Sequence, residues 1–142
     1  MLDTHIWIWW LLGDTRLSKE SRDQLGNLPP EERHYLCDIS ICECGMLVEL
    51  GRLQLDCTLA DFLKIGTSPA TVKFVSISSA IVLEMNQLPE SFHRDPADRL
   101  ILSTAKALRT KTGDQRFIAR RFRLSGNMAL ISTQLTTSLM LS

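Results

Sequence analysis

No apolar stretch of the 142 residues is long enough to cross a bilayer: Ile6 to Leu12 spans well under half of the roughly 20 residues a membrane helix needs. A basic leader followed by a small-residue cleavage pattern is also missing, so the expectation is a soluble, cytoplasmic protein without a membrane partner. Net charge is absent too. Sixteen Lys and Arg balance sixteen Asp and Glu, which removes any global electrostatic footprint of nucleic-acid binding and makes such binding, if present, local. There is no pair of C-x-x-C motifs, and Cys42 and Cys44, separated by one residue, leave a helix in different directions. This excludes a structural zinc site and leaves Cys37, Cys42, Cys44 and Cys57 as expected reduced core residues. Internal repeats and interdomain linkers are missing as well. A chain with 44% hydrophobic and 23% charged residues is then expected to form one globular domain over residues 1–142.

What the sequence does contain is a set of carboxylates at helix starts. In HRDPADRLILSTAKAL, His93 to Leu108, Asp95 can cap, Pro96 fits the first helical turn, and Asp98 sits near the positive end of the helix dipole. Helical spacing groups Asp98 with Ile101, Leu102, Ala105 and Leu108, and puts Arg99, Ser103 and Lys106 on another face. Asp98 thus heads the expected inward stripe, where a carboxylate needs a hydrogen bond, a counter-ion or a metal. Its own first-turn N–H groups could meet that need, as could a cation.

The same pattern occurs elsewhere. MLDTHIWIWWLLG reads as a stub of strand, then caps at Asp3 and Thr4 for a helix running toward Gly13. A second helix enters at Ser18 and stops between Gly26 and Pro30. His34 to Ile39 is a strand candidate, followed by a helix starting at Ser40 with Gly51 past its end. Ser40 and Glu43 match the S-x-x-E capping box, yet Glu43 also heads an apolar face of Met46, Leu47 and Leu50. A helix over Thr58 to Ile65, a β-type run over Val72 to Ile77 and a helix from Ser78 or Ser79 to Leu88 come next. After the Asp98 helix, RTKTGD reads as a poor strand ending at Asp114. A helix over Gln115 to Phe122 and a strand over Met128 to Ser132 complete the series, and residues 133–142 remain unassigned.

Alternating strands and helices predict an α/β fold: a parallel sheet with helices on both faces and sites at the carboxyl ends of strands. Asp3, Glu43, Asp98 and Asp114 could all meet at one such edge. Without a cation, four adjacent carboxylates would raise one another's pKa values. Oxygen-only ligation without a His/Cys cluster suits Mg²⁺ or Mn²⁺, which can activate water and stabilise the leaving oxygen of a phosphodiester.

LDTHIWIWWLL, SICECGMLVELGRLQL, HRDPADRLILSTA and TGD together resemble a PIN-domain ribonuclease of the VapC toxin type, over approximately residues 1–122. The resemblance implies a three-layer α/β/α fold with a mainly parallel central sheet and a Mg²⁺- or Mn²⁺-dependent endoribonuclease. It also implies homodimerisation, an RNA substrate and inhibition by a cognate VapB-type antitoxin. Carried over residue by residue, it makes Asp3, Glu43, Asp98 and Asp114 the catalytic, metal-binding quartet, with Asp95 an outer or capping acid. RTKTGD departs from the family's longer apolar approach to the fourth acid, and Gly113 stands between Thr112 and Asp114.

Ser40 and Thr112 could orient these acids by hydrogen bonds or serve as caps and turns. Arg99 and Arg116 are candidates for a substrate rim, within a basic C-terminal third that also holds Arg109, Lys111, Arg120, Arg121 and Arg123. A solvated helix face accounts for that cluster equally well. His5 and His93 flank acids and could approach a phosphate, although helix-start packing explains them too. Trp7, Trp9 and Trp10 could stack on RNA or contact a partner, but Trp9 and Trp10 share the face begun by Ile6 and are expected in a core or dimer seam. Two other functions fit parts of the pattern: a PIN-like module that binds RNA or antitoxin without cutting, and a phosphatase or phospho-receiver using Asp3 as nucleophile. The D-x-D start of one phosphatase class is missing.

Overall fold

Residues 1–91 and 95–112 are described by the computed structural model of the chain. His93, Asp114, Arg116, and the helix and strand expected over 115–122 and 128–132 lie outside the described residues.

Most helix starts follow from their capping side chains. Helix α1, Thr4–Leu12, begins at Asp3, whose extended backbone and Oδ1 acceptor, 2.9 Å from the His5 N–H, make it the N-cap. It ends at Gly13 with φ 64°, a left-handed position that favours glycine. Ser18, Thr58 and Ser78 cap α2 (Lys19–Gly26), α4 (Leu59–Gly66) and α5 (Ser79–Asn86) in the same way. A short 3₁₀ turn, Pro30–Glu32, leads into strand β1, Tyr35–Cys37. Helix α3 covers Ile39–Glu49, strand β2 covers Lys73–Val75, and α6 covers Pro96–Thr112.

β1 and β2 pair in parallel, with Tyr35 opposite Lys73 and Cys37 opposite Val75. The His34 carbonyl accepts from Lys73 N at 2.8 Å, and the next carbonyl, Tyr35, accepts from Leu2 N at 2.8 Å. Successive carbonyls of a strand point to opposite edges, so the stub at Met1 and Leu2 lies along the free edge of β1. Asp38 extends the tie beyond the ladder: its N–H reaches Val75 O at 3.0 Å, and its Oδ2 accepts from Ile77 N at 3.0 Å. Helices α3 and α6 both pack on β1, and α5 packs along α6. The architecture is α/β, as expected. Among the described residues, no helix is long and apolar enough to cross a membrane.

Three local readings need correction. β1 is shorter than the expected 34–39 because Asp38 already has helical φ and ψ, −62° and −22°, so α3 starts at Ile39 and Ser40 lies inside its first turn. Arg109 to Thr112 form the last turn of α6 rather than a strand. Basic side chains suit the negative end of a helix, and the Thr110 and Thr112 hydroxyls bond back to Lys106 O and Leu108 O. The buried residues of α6 are Ala97, Ser103 and Thr104, not the Ile101, Leu102, Ala105 and Leu108 stripe. Ser103 and Thr104 satisfy their hydroxyls on Arg99 O and Leu100 O, both at 2.7 Å, which makes two polar residues cheap to bury.

The core gathers Leu2, Ile6, Trp7, Ile8, Leu17, Leu25, Leu36, Cys44, Phe62 and Val72. Trp7, rather than Trp9 or Trp10, is the fully buried indole. Its Nε1 donates to Gly66 O at 3.0 Å, and its ring meets Phe62 edge-on. Trp9 and Trp10 are only partly buried against this core. Every turn of α1 is apolar, so hydropathy alone could not choose its inner face. α4 approaches closely at Gly66, where a Cβ would stand 2.7 Å from both Leu11 Cδ1 and Trp7 Cζ2. Cys37 and Cys44 are buried as expected, whereas Cys42 and Cys57 are exposed. The latter two sit on an outward helix position and in a polar loop.

Candidate functional site

Three candidate acids, Asp3, Glu43 and Asp98, stand in the first half of separate helices or at their cap. Asp3 caps α1, Glu43 occupies the second turn of α3, and Asp98 lies half-buried in the first turn of α6. The positive ends of α1 and α6 thus carry Asp3 and Asp98.

Thr4 locks the first two helices together. It is 1% exposed, and its Oγ1 lies 2.8 Å from the fully buried Ser40 Oγ while donating to Glu43 Oε2. The Ser40–Glu43 capping box is therefore not formed: no side chain caps α3, and both partners turn toward Thr4 instead. The sequence reading treated Thr4 only as a cap. Its signal was a hydroxyl beside an acid at the head of an entirely apolar helix.

The electrostatics tie the acids to one another and to His5. Burial pushes the Glu43 carboxyl above its usual value despite the Thr4 hydrogen bond, and the charges of Asp3 and Asp95 push in the same direction, opposed by His5. Burial also works against charge on Asp3, but the neighbouring His5 side chain and the hydrogen bond from the His5 N–H overcome it and leave the carboxyl below its usual value. His5 Nδ1 stands 3.7 Å from Asp3 Oδ1. Its approach to the Asp3 carboxylate, aided by the charges of Glu43 and Asp98, raises the imidazole's pKa against the effect of burial. Acids from three separate helices act on one half-exposed ring.

The remaining candidates divide. Asp95 is an exposed cap, its Oδ1 accepting from Ala97 N at 2.8 Å, close enough for its charge to reach Glu43. The partly buried Arg99 donates from Nη2 to Met85 O at 3.1 Å, which clamps α6 to the end of α5. Thr112 is exposed at the end of α6, bonded to the carbonyl of Leu108. Ser40 supports Glu43 through Thr4. Asp114 and Arg116 lie outside the described residues. Among the described residues, no three His, Cys, Asp or Glu side chains stand close enough to hold a metal ion by themselves. The donor chemistry at this edge is nevertheless hard oxygen. A Glu43 carboxyl held up by burial and neighbouring anions is the kind of group that a divalent cation relieves.

The family model for the PIN domain matches residues 1–122. Ribonuclease VapC22 of Mycobacterium tuberculosis is 31% identical over 123 residues, covering 85% of this chain and 91% of that protein. No solved structure matches the chain significantly.

Proposed function

The chain belongs to the PIN domain family, and from that premise we propose that it is a metal-dependent endoribonuclease, the toxin of a toxin–antitoxin pair. What supports this reading is that Asp3 and Asp98, at the starts of their helices, and Glu43, held by Thr4, all bear through their charges on the His5 ring. Asp3, Glu43 and Asp98, with Asp114, would hold Mg²⁺ or Mn²⁺. The bound ion would supply Lewis acidity toward a phosphodiester and its attacking water. Thr4 and Ser40 fix the Glu43 carboxylate, the α1 N-terminus fixes Asp3, and no protein nucleophile is needed. RNA as substrate and a VapB-type antitoxin as partner follow from the likeness to a VapC ribonuclease, and a homodimer is part of the same proposal.

Purified protein should cut RNA only with Mg²⁺ or Mn²⁺ present, and Asp98→Asn or Glu43→Gln should abolish cutting while leaving the far-UV circular dichroism unchanged. Metal-independent cutting, or undiminished cutting by both variants, refutes the reading. RNA bound in the presence of metal but left intact favours the binding-module alternative. Induced expression should arrest growth, with rescue by Asp98→Asn.

A further inference from the structure

The outer side of α1 carries a row of side chains that the carboxylate centre does not use. His5 borders Asp3, and one turn on, the Trp9 ring lies 5.8 Å from the His5 ring at 53°. Beyond it, the Arg16 guanidinium lies over Trp9 at 4.8 Å from the ring centroid. Arg16 is 62% exposed yet held in place, with Nε 3.0 Å from Asp14 Oδ1 and Nη2 2.7 Å from Asp14 Oδ2. Nη1 takes no part in that pair. Such a stack orders a long side chain in advance and lowers the entropy cost of ligand binding.

Asp14, Arg16 and Arg22 together carry a net positive charge. Arg22 donates to Gly13 O at 2.7 Å, and its charge also reaches Asp14, so two guanidinium groups surround one carboxylate. The row thus runs from an anionic centre at Asp3 to a cationic corner at Arg16, with aromatic surface between. A phosphodiester polymer cut at the carboxylate centre needs this gradient: a cation for a neighbouring phosphate and a flat surface beside the intervening base.

We infer that His5, Trp9 and Arg16 line the path of a single RNA strand leaving the carboxylate centre, with Arg16 binding a phosphate and the Trp9–Arg16 stack supporting a base. The inference deepens the nuclease reading and rests on it for the identity of the polymer. Arg16 is a binding residue here, not a catalytic one.

The test is fluorescence anisotropy of a labelled ten-nucleotide RNA with the full chain in EDTA, across a salt series. Arg16→Gln should weaken binding about tenfold and reduce the slope of log affinity against log salt by about 0.7, the contribution of one phosphate contact on a single strand. Arg16→Lys should restore the slope but not the full affinity, because an ammonium lacks the flat plate. Asp14→Asn should keep the wild-type salt slope, since it leaves the Arg16 cation to meet the phosphate. If Arg16 only staples the α1–α2 corner, Asp14→Asn will lower both affinity and slope as Arg16→Gln does, and the inference fails. It fails equally if Arg16→Gln matches wild type in affinity and slope, whatever that variant does to capture of a protein partner. Cleavage by wild type in Mn²⁺, run in parallel, separates the two claims. Loss of RNA affinity in Arg16→Gln with an uncleaving wild type supports the strand path and sinks the nuclease, and the reverse pattern sinks the strand path alone.

Discussion

Thr4→Val removes one hydroxyl and keeps the branched shape of the side chain, so it isolates the oxygen that joins α1 to α3. Thr4 and Ser40 are buried from solvent, and Thr4 Oγ1 serves both Ser40 Oγ and the Glu43 carboxylate. A hydrogen bond to a charged group contributes about 1.5–3 kcal/mol, and the valine methyl recovers a fraction of this by apolar burial, leaving a loss of about 2 kcal/mol. At about 2–4 °C per kcal/mol for a domain near this size, Tm falls by roughly 4–8 °C. The Thr4 bond lowers the Glu43 pKa, so its contribution is present where Glu43 is ionised and is lost as pH falls through the Glu43 titration. Melting followed by circular dichroism should therefore show a wide gap between wild type and Thr4→Val at pH 7.5 that narrows under acid. A gap below about 1 °C at pH 7.5, or one that does not change with pH, refutes the role assigned to Thr4.

Two further substitutions probe the same region. Because burial raises the Glu43 carboxyl, the metal-free protein loses stability as pH rises through the folded-state pKa, and Glu43→Gln should abolish RNA cleavage yet melt above wild type at pH 7.5 in EDTA. A lower melting temperature for Glu43→Gln under those conditions contradicts this. Gly66→Ala places a methyl 2.7 Å from Leu11 Cδ1 and Trp7 Cζ2, where overpacking costs about 1–3 kcal/mol, and urea unfolding should show a lower midpoint at unchanged m.

Local signals in the sequence carried far in this chain. Asp3, Ser18, Thr58, Ser78 and Asp95 act as caps where their spacing puts them, because a cap needs only the next two or three N–H groups. The acids at helix starts were legible for the same reason. What failed depended on partners far along the chain. Ser40 and Glu43 satisfy a capping box on paper, but Thr4, 36 and 39 residues away, takes both. Trp7 was hidden among apolar neighbours on every side of α1, and its place was decided by Gly66 on α4. Ser103 reads as an outward polar residue because hydropathy does not count a hydroxyl's bond to its own helix. The contact of Arg99 with the Met85 carbonyl, a clamp between helices, likewise joins residues 14 apart and has no local signal.

Calorimetric titration of Mn²⁺ into wild type and into Asp3→Asn, Glu43→Gln and Asp98→Asn tests the shared carboxylate centre most directly. Wild type should bind the ion, and each substitution should weaken binding by about tenfold or more, as loss of one charged oxygen ligand requires. Binding that is absent in wild type, or undiminished in all three variants, would contradict the assignment of these acids to a common cation.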